Sequence, residues 1–274
     1  MSYASTILAD GPLYWTRFAD PARPVNEVGP TPATAAYVAD VTPAVSGPVD
    51  KALRLHVDRV TAEDAHLVYG DAATVLAPGT HDFGSDDPPY GAVAIEFWVK
   101  IDTFHPALVY LYSTAAKLGN GTLYLAIQQM YGVFLLRVEF IPTFFTSGTQ
   151  GPSGFSGYVT LPVMASTWHH CVFNLCAAAG QIGNTYNDFF FDGEDQYISF
   201  DTGAMGYLPD ATMDPAAEMG LYSDLSAGVI DLALAELAVY VNTRLSPQRV
   251  AAHIAAALGG TGLGAKRIPL LGVG

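Results

Sequence analysis

Three groups of residues in this sequence are chemically suggestive: clustered carboxylates, a histidine pair, and aromatics set among small loop residues. Asp192, Glu194 and Asp195 stand close together with Asp188 nearby, and Asp82, Asp86 and Asp87 form a second group. Hard cations such as Ca2+ take several oxygen ligands, and clusters of this type can supply them. Neither group has the spacing of an EF-hand loop. A solvated acidic loop is the competing reading, and Asp192-Gly193 is also a hairpin turn signal. His169-His170 is the zinc-type pair, but neighbours on a strand point to opposite sides and do not readily share one ion. Phe144, Phe145, Phe155 and Tyr186 are read as loop aromatics. Phe144-Phe145 beside a Gly/Ser-rich stretch could form a contact patch for a partner or a glycan. Lys266 and Arg267, followed by Leu270 and Leu271, carry scarce positive charge and an apolar run near the chain's end. They suit a hook onto a neighbouring subunit, with a tail that folds back as the alternative. There is no Gly-x-Ser-x-Gly elbow and no phosphate-cradling loop.

Composition narrows the setting. The chain has 274 residues, half of them hydrophobic and 14% charged, which is enough to bury a large core. Its formal charge of −14 repels phosphate backbones, so no nucleic-acid partner is expected. No stretch approaches the ~18 uninterrupted apolar residues of a membrane-spanning helix, so no membrane insertion is expected. The opening residues have neither the basic start nor the apolar run of a signal peptide, so none is expected. Cys171 and Cys176, on one strand at odd spacing, would face opposite ways and read as two small buried hydrophobes.

The elements that must position these groups are mostly strands. Ile95, Phe97, Val99 and Ile101 alternate within 94–101, and 108–112 is apolar almost throughout. The segments 123–127 and 132–140 read as a hairpin joined near Met130. The stretch 146–157 reads as a long loop, with a strand beginning at Tyr158. Residues 168–175, 188–191, 197–200, 219–222 and 232–241 complete the strands. One helix is predicted, over 246–258. Ser246 caps it, Pro247 fits its first turn, Val250, Ile254 and Leu258 form an apolar stripe, and Gly259-Gly260 stops it.

Several segments, taken in order, resemble laminin-G-like domains of the concanavalin A-like superfamily. They are Tyr14-Trp15, Ile95-Glu96-Phe97-Trp98-Val99-Lys100, Trp168-His169-His170-Cys171-Val172-Phe173, Phe191-Asp192-Gly193, and Glu236-Leu237-Ala238-Val239-Tyr240 followed by Leu245-Ser246-Pro247. The resemblance implies an all-β, concanavalin A-like jelly-roll sandwich. One short C-terminal helix would close it, with domain 1–260 and an extended arm 261–274. It also implies that the aromatics and His169-His170 are framework, and that Asp192, Glu194 and Asp195 are the residues for a Ca2+ at the sandwich rim, no cofactor being required. Some relatives are glycosidases, which place two carboxylates at alternating positions of one strand. Neither Glu96 nor Glu236 has such a neighbour, so a protein that binds or decorates rather than catalyses is expected. The look of the whole chain resembles minor tail proteins of tailed phages infecting actinobacteria, with capsid decoration as the alternative. That implies a protein made in the host cytoplasm and built into the virion, at the tail or capsid surface. Its partners would be other virion subunits, in a homo-oligomer or other symmetric assembly, or a host cell-surface glycan. A Ca2+-dependent lectin module and, further off, a glycoside hydrolase are the other readings.

Overall fold

The computed structural model describes residues 2–18, 26–28, 41–57, 66–71, 92–104, 108–113, 122–130, 133–141, 155–161, 166–176, 188–196, 199–202, 218–224, 230–241 and 243–260. Phe144, Phe145, Tyr186, Lys266, Arg267, Leu270, Leu271, the Asp82–Asp87 group and the arm 261–274 lie outside them. The elements run α1 (Tyr3–Ala9), β1 (Tyr14–Thr16), β2 (Asn26–Val28), β3 (Val41–Ser46), β4 (Lys51–Val57), β5 (His66–Asp71), β6 (Ala92–Phe104) and β7 (Leu108–Ser113). They continue with β8 (Thr122–Met130), β9 (Val133–Ile141), β10 (Phe155–Leu161), β11 (Trp168–Cys176), β12 (Asp188–Phe191), β13 (Glu194–Gln196), β14 (Ser199–Thr202), β15 (Glu218–Asp224), β16 (Ile230–Val241) and α2 (Pro247–Gly260).

The strands form two antiparallel sheets. The first has the order β13-β12-β11-β6-β16-β1-β2, with β4 also on β16 and β3 on β4. The second has the order β14-β10-β9-β8-β7-β15-β5. The expected hairpin is β8–β9, closed by the pairing of Met130 with Val133.

Strand β6 lies mid-sheet and is apolar on both faces. Ile95, Phe97, Val99 and Ile101 face one way with Cys171 and Phe173 of β11, all at most 2% exposed. Ala94, Glu96 and Trp98 face the other way and are equally buried. Both described helices cover that face. Tyr3 and Ile7 of α1, and Val250, Ala256 and Ala257 of α2, join Trp15, Trp98, Val172, Phe190, Ala238 and Tyr240 in one cluster. Each large apolar side chain sealed here contributes roughly 1.5–3 kcal/mol.

Three expectations are corrected. A second helix exists, α1, where only one was predicted. It is too short to show a periodic stripe, and its register comes from the Ser2 cap on the Ser5 amide and from the burial of Tyr3 and Ile7. Phe155 is not a loop residue: it begins β10, opposite Phe140. The buried stripe of α2 is not 250/254/258. Leu258 is 48% exposed, and His253 is fully buried beside Val250 and Ala257. A polar residue occupies the stripe because partners await it. The Ser246 cap holds as expected, its Oγ accepting from the Arg249 amide at 3.3 Å.

Candidate functional site

Polar chemistry gathers in two places, divided by the pleat of β11. His170 points to the helix-covered face and His169 to the other.

Beneath the helices sits Glu96, whose side chain is fully buried. Its carboxylate accepts from His170 Nε2 at 2.7 Å, from His253 Nδ1 at 2.9 Å to each oxygen, and from the Tyr240 hydroxyl at 2.7 Å. The Tyr3 hydroxyl reaches it at 3.5 Å and itself accepts from Trp98 Nε1 at 3.3 Å. His253 Nε2 donates to Asp10 at 2.6 Å, and the Arg249 guanidinium clamps the same carboxylate through contacts of 2.7–3.0 Å. Both nitrogens of His253 therefore face carboxylates, which requires the imidazolium. Among the described residues His170 Nδ1 has no hydrogen-bond partner, which fits a neutral ring donating through Nε2. The charges of Glu96, Asp10, His253 and Arg249 then cancel. Burial pushes the Glu96 carboxyl up, but its bonds from His170 and His253 outweigh that and hold it well below the usual range. Burial opposes charge on His253, but Glu96 and Asp10 raise its pKa overall.

Glu236 lies on the same face by way of an irregularity. Ala235 pairs with Trp98 and Ala238 with Glu96, so Glu236 and Leu237 stand opposite a single residue of β6. Glu236 takes the bulge conformation, with φ +52°. Its carboxylate accepts from Trp15 Nε1 at 3.0 Å and Arg17 Nε at 3.2 Å. Burial, with repulsion from Glu96, outweighs Arg17 and pushes its pKa up to about 7. No sequence spacing announced this carboxylate pair. It joins neighbouring strands far apart in sequence and depends on a bulge.

At the rim the arrangement is open. The β12–β13 turn has positive φ at Asp192 and Gly193, as an Asp-Gly hairpin turn requires. It swings Asp192 against β11. There Oδ1 accepts from the His170 amide at 2.9 Å, and Oδ2 pairs with His169 Nδ1 at 2.7 Å. The other ring nitrogen of His169 lies 2.9 Å from Oγ1 of the exposed Thr167. Phe191 stacks on the imidazole, with centroids 4.7 Å apart and planes 21° apart.

Asp192, Glu194 and Asp195 are not brought together. Asp192 is spent on β11, while Glu194 and Asp195 are consecutive in edge strand β13 and so face opposite sides. Asp195 is pushed up by partial burial and by the charge of Asp188. Asp188 itself pairs with Arg244. Among the described residues, no three His, Cys, Asp or Glu side chains converge as a metal site would need. Cys171 is a free, buried thiol whose pKa burial pushes up.

No protein-family model matches the chain, and no curated protein matches it in sequence. Solved structures do match in fold. The binding domain of botulinum neurotoxin serotype C1 aligns over 89% of this chain with a TM-score of 0.58 at 10% identity. A structure of botulinum neurotoxin type C aligns over 93% with a TM-score of 0.57 at 9% identity, and the serotype G binding domain over 89% with 0.55 at 8%. The likeness covers only 52%, 53% and 50% of those chains, so this chain spans about half their length. It establishes the jelly-roll β-sandwich architecture.

Proposed function

We propose that this sandwich is a contact domain, binding protein or glycan, and that its place is in the virion of a tailed bacteriophage as a minor tail protein. The observation that carries the contact role is the fate of the buried acids. Glu96 and Glu236 are both fully buried and are consumed by internal donors. Their chemistry holds the fold, and recognition falls to the surface of the sandwich. The fold neighbours support a binding reading. Type C neurotoxin depends on interaction with two ganglioside molecules to enter cells, and a related binding domain is seen in complex with rat synaptotagmin II. The phage reading is supported by the ordered laminin-G-like segments and by the Ala/Gly-rich composition. Capsid decoration is the alternative position within the same particle.

Mass spectrometry of purified particles tests this. The expected result is this chain in the particle at a few copies. A copy number matching the capsid lattice moves it to decoration. Absence from particles overturns the virion role, and a chelator-sensitive glycan interaction would then favour the Ca2+-dependent lectin.

A further inference from the structure

We propose that Thr167 is an activated nucleophile, served by His169 and Asp192, and that the rim of the sandwich accepts acyl groups from activated esters. The proposal concerns a different site from Glu96 and does not rest on the contact role.

The argument begins with proton positions. Asp192 Oδ1 accepts from the His170 amide, and Oδ2 is left facing His169 as an acceptor. His169 therefore gives its Nδ1 hydrogen to Oδ2 at 2.7 Å, which leaves a bare lone pair on Nε2. That lone pair stands 2.9 Å from Thr167 Oγ1 and accepts its hydrogen. Hydroxyl, imidazole and carboxylate thus stand in the order and tautomer that a serine-type triad uses. The ring is held by the Phe191 stack, and the carboxylate by a backbone amide and by the tight turn carrying Asp192 and Gly193. Thr167 is exposed, so an acyl group can reach it. The residue before it, Ser166, has φ +49° with its amide bonded to the Ile101 carbonyl at 3.2 Å. Non-glycine backbone held in that region persists where the surroundings enforce it. Ser166 leads through Thr167 into β11, which begins at Trp168.

The step is ordinary acyl transfer. Thr167 Oγ1 attacks the ester carbonyl while its proton passes to His169 Nε2. The carbonyl–oxygen bond of the leaving alcohol then breaks, and that oxygen takes the proton from His169. Water attacks the acyl-threonine through the same base, releasing the acid and restoring the hydroxyl. Asp192 touches no reacting atom and acts as a positioning residue.

The test uses the whole chain with p-nitrophenyl acetate, reading the p-nitrophenolate burst and locating the acetyl adduct by peptide mass spectrometry. The wild type is expected to carry the adduct at Thr167. Thr167→Val, which keeps the shape and loses the hydroxyl, should abolish it, and Thr167→Ser should retain it. His169→Phe, which keeps an aromatic on Phe191, should slow acylation about 100-fold, the low end of what a general base contributes. Asp192→Asn should lower the rate while leaving the adduct at the same residue. Circular dichroism of each variant separates loss of chemistry from loss of fold. Absence of an adduct at Thr167 in folded wild type, or an equal burst from folded Thr167→Val, overturns the proposal.

Discussion

His169 and His170 are adjacent, and each pairs with a carboxylate at 2.7 Å, yet they live in opposite worlds. His170 meets Glu96 beneath two helices, in a cluster whose charges cancel and whose members are nearly all bonded to one another. His169 meets Asp192 at the rim and passes the contact on to an exposed hydroxyl. The same imidazole–carboxylate unit is a fastening in one place and a relay in the other. What separates them is the pleat of one strand and what lies over each face. Burial turns ionic chemistry inward, because a sealed charge must be satisfied internally or not be charged at all.

The comparison breaks most sharply at Glu96. Replacing it with Ala leaves the His253 imidazolium buried with one carboxylate partner fewer, and should cost about 3–5 kcal/mol in a denaturant titration. A loss near zero would mean that the cluster is not sealed.

Glu236 sharpens the same side through pH. Its folded pKa of about 7 lies above the ordinary 4.5. A raised acid contributes fully below the unfolded value, and that contribution is lost as pH rises from about 4.5 to about 7. The shift corresponds to on the order of 3 kcal/mol. Glu236→Gln should therefore flatten stability across that window, matching wild type near pH 4.5 and exceeding it at pH 8. Glu96 has the opposite sign: its depressed pKa makes its contribution present above the ordinary range and lost as pH falls through the folded value. His253, raised, loses its contribution as pH climbs through its folded value. Urea midpoints at several pH values, in wild type and in Glu236→Gln, distinguish these slopes.

The smallest effect belongs to the rim. His169→Ala removes a partly buried hydrogen-bonded ring and should cost about 1 kcal/mol. A cost as large as that at Glu96 would make His169 a fastening too.

The sequence made one side of this contrast easier to see than the other. Alternation at Ile95, Phe97, Val99 and Ile101, the Asp192-Gly193 turn and the Ser246 cap are local signals, and each found its place. The segment 94–98 also held a clue to the cluster. A strand apolar at Ala94 and Trp98 as well as on its other face must be covered on both sides, and Glu96 within it needs partners. Their identity was hidden, because Asp10, His253 and Arg249 arrive from the two helices, and α1 is too short to announce itself. Glu236 was read as a strand residue, and nothing local marks the bulge that turns it inward. The rim relay depended on register. The turn was legible, but not that pairing Cys171 with Phe191 would lay Asp192 against His169.

The bond between Asp10 and Arg249 joins positions 239 residues apart. A ribosome therefore delivers α1 long before the helix that will secure it exists. Strand β16, which joins β6 to β1 and β4, is made only shortly before α2, and until α2 follows it Glu96 has no His253 to meet. Closure of the helix-covered face cannot be complete before α2 is made, and it asks for a long-range search of the kind that high contact order imposes. A nascent chain halted before α2 would show the sheet's aromatic surface to chaperones, and the completed chain would withdraw it.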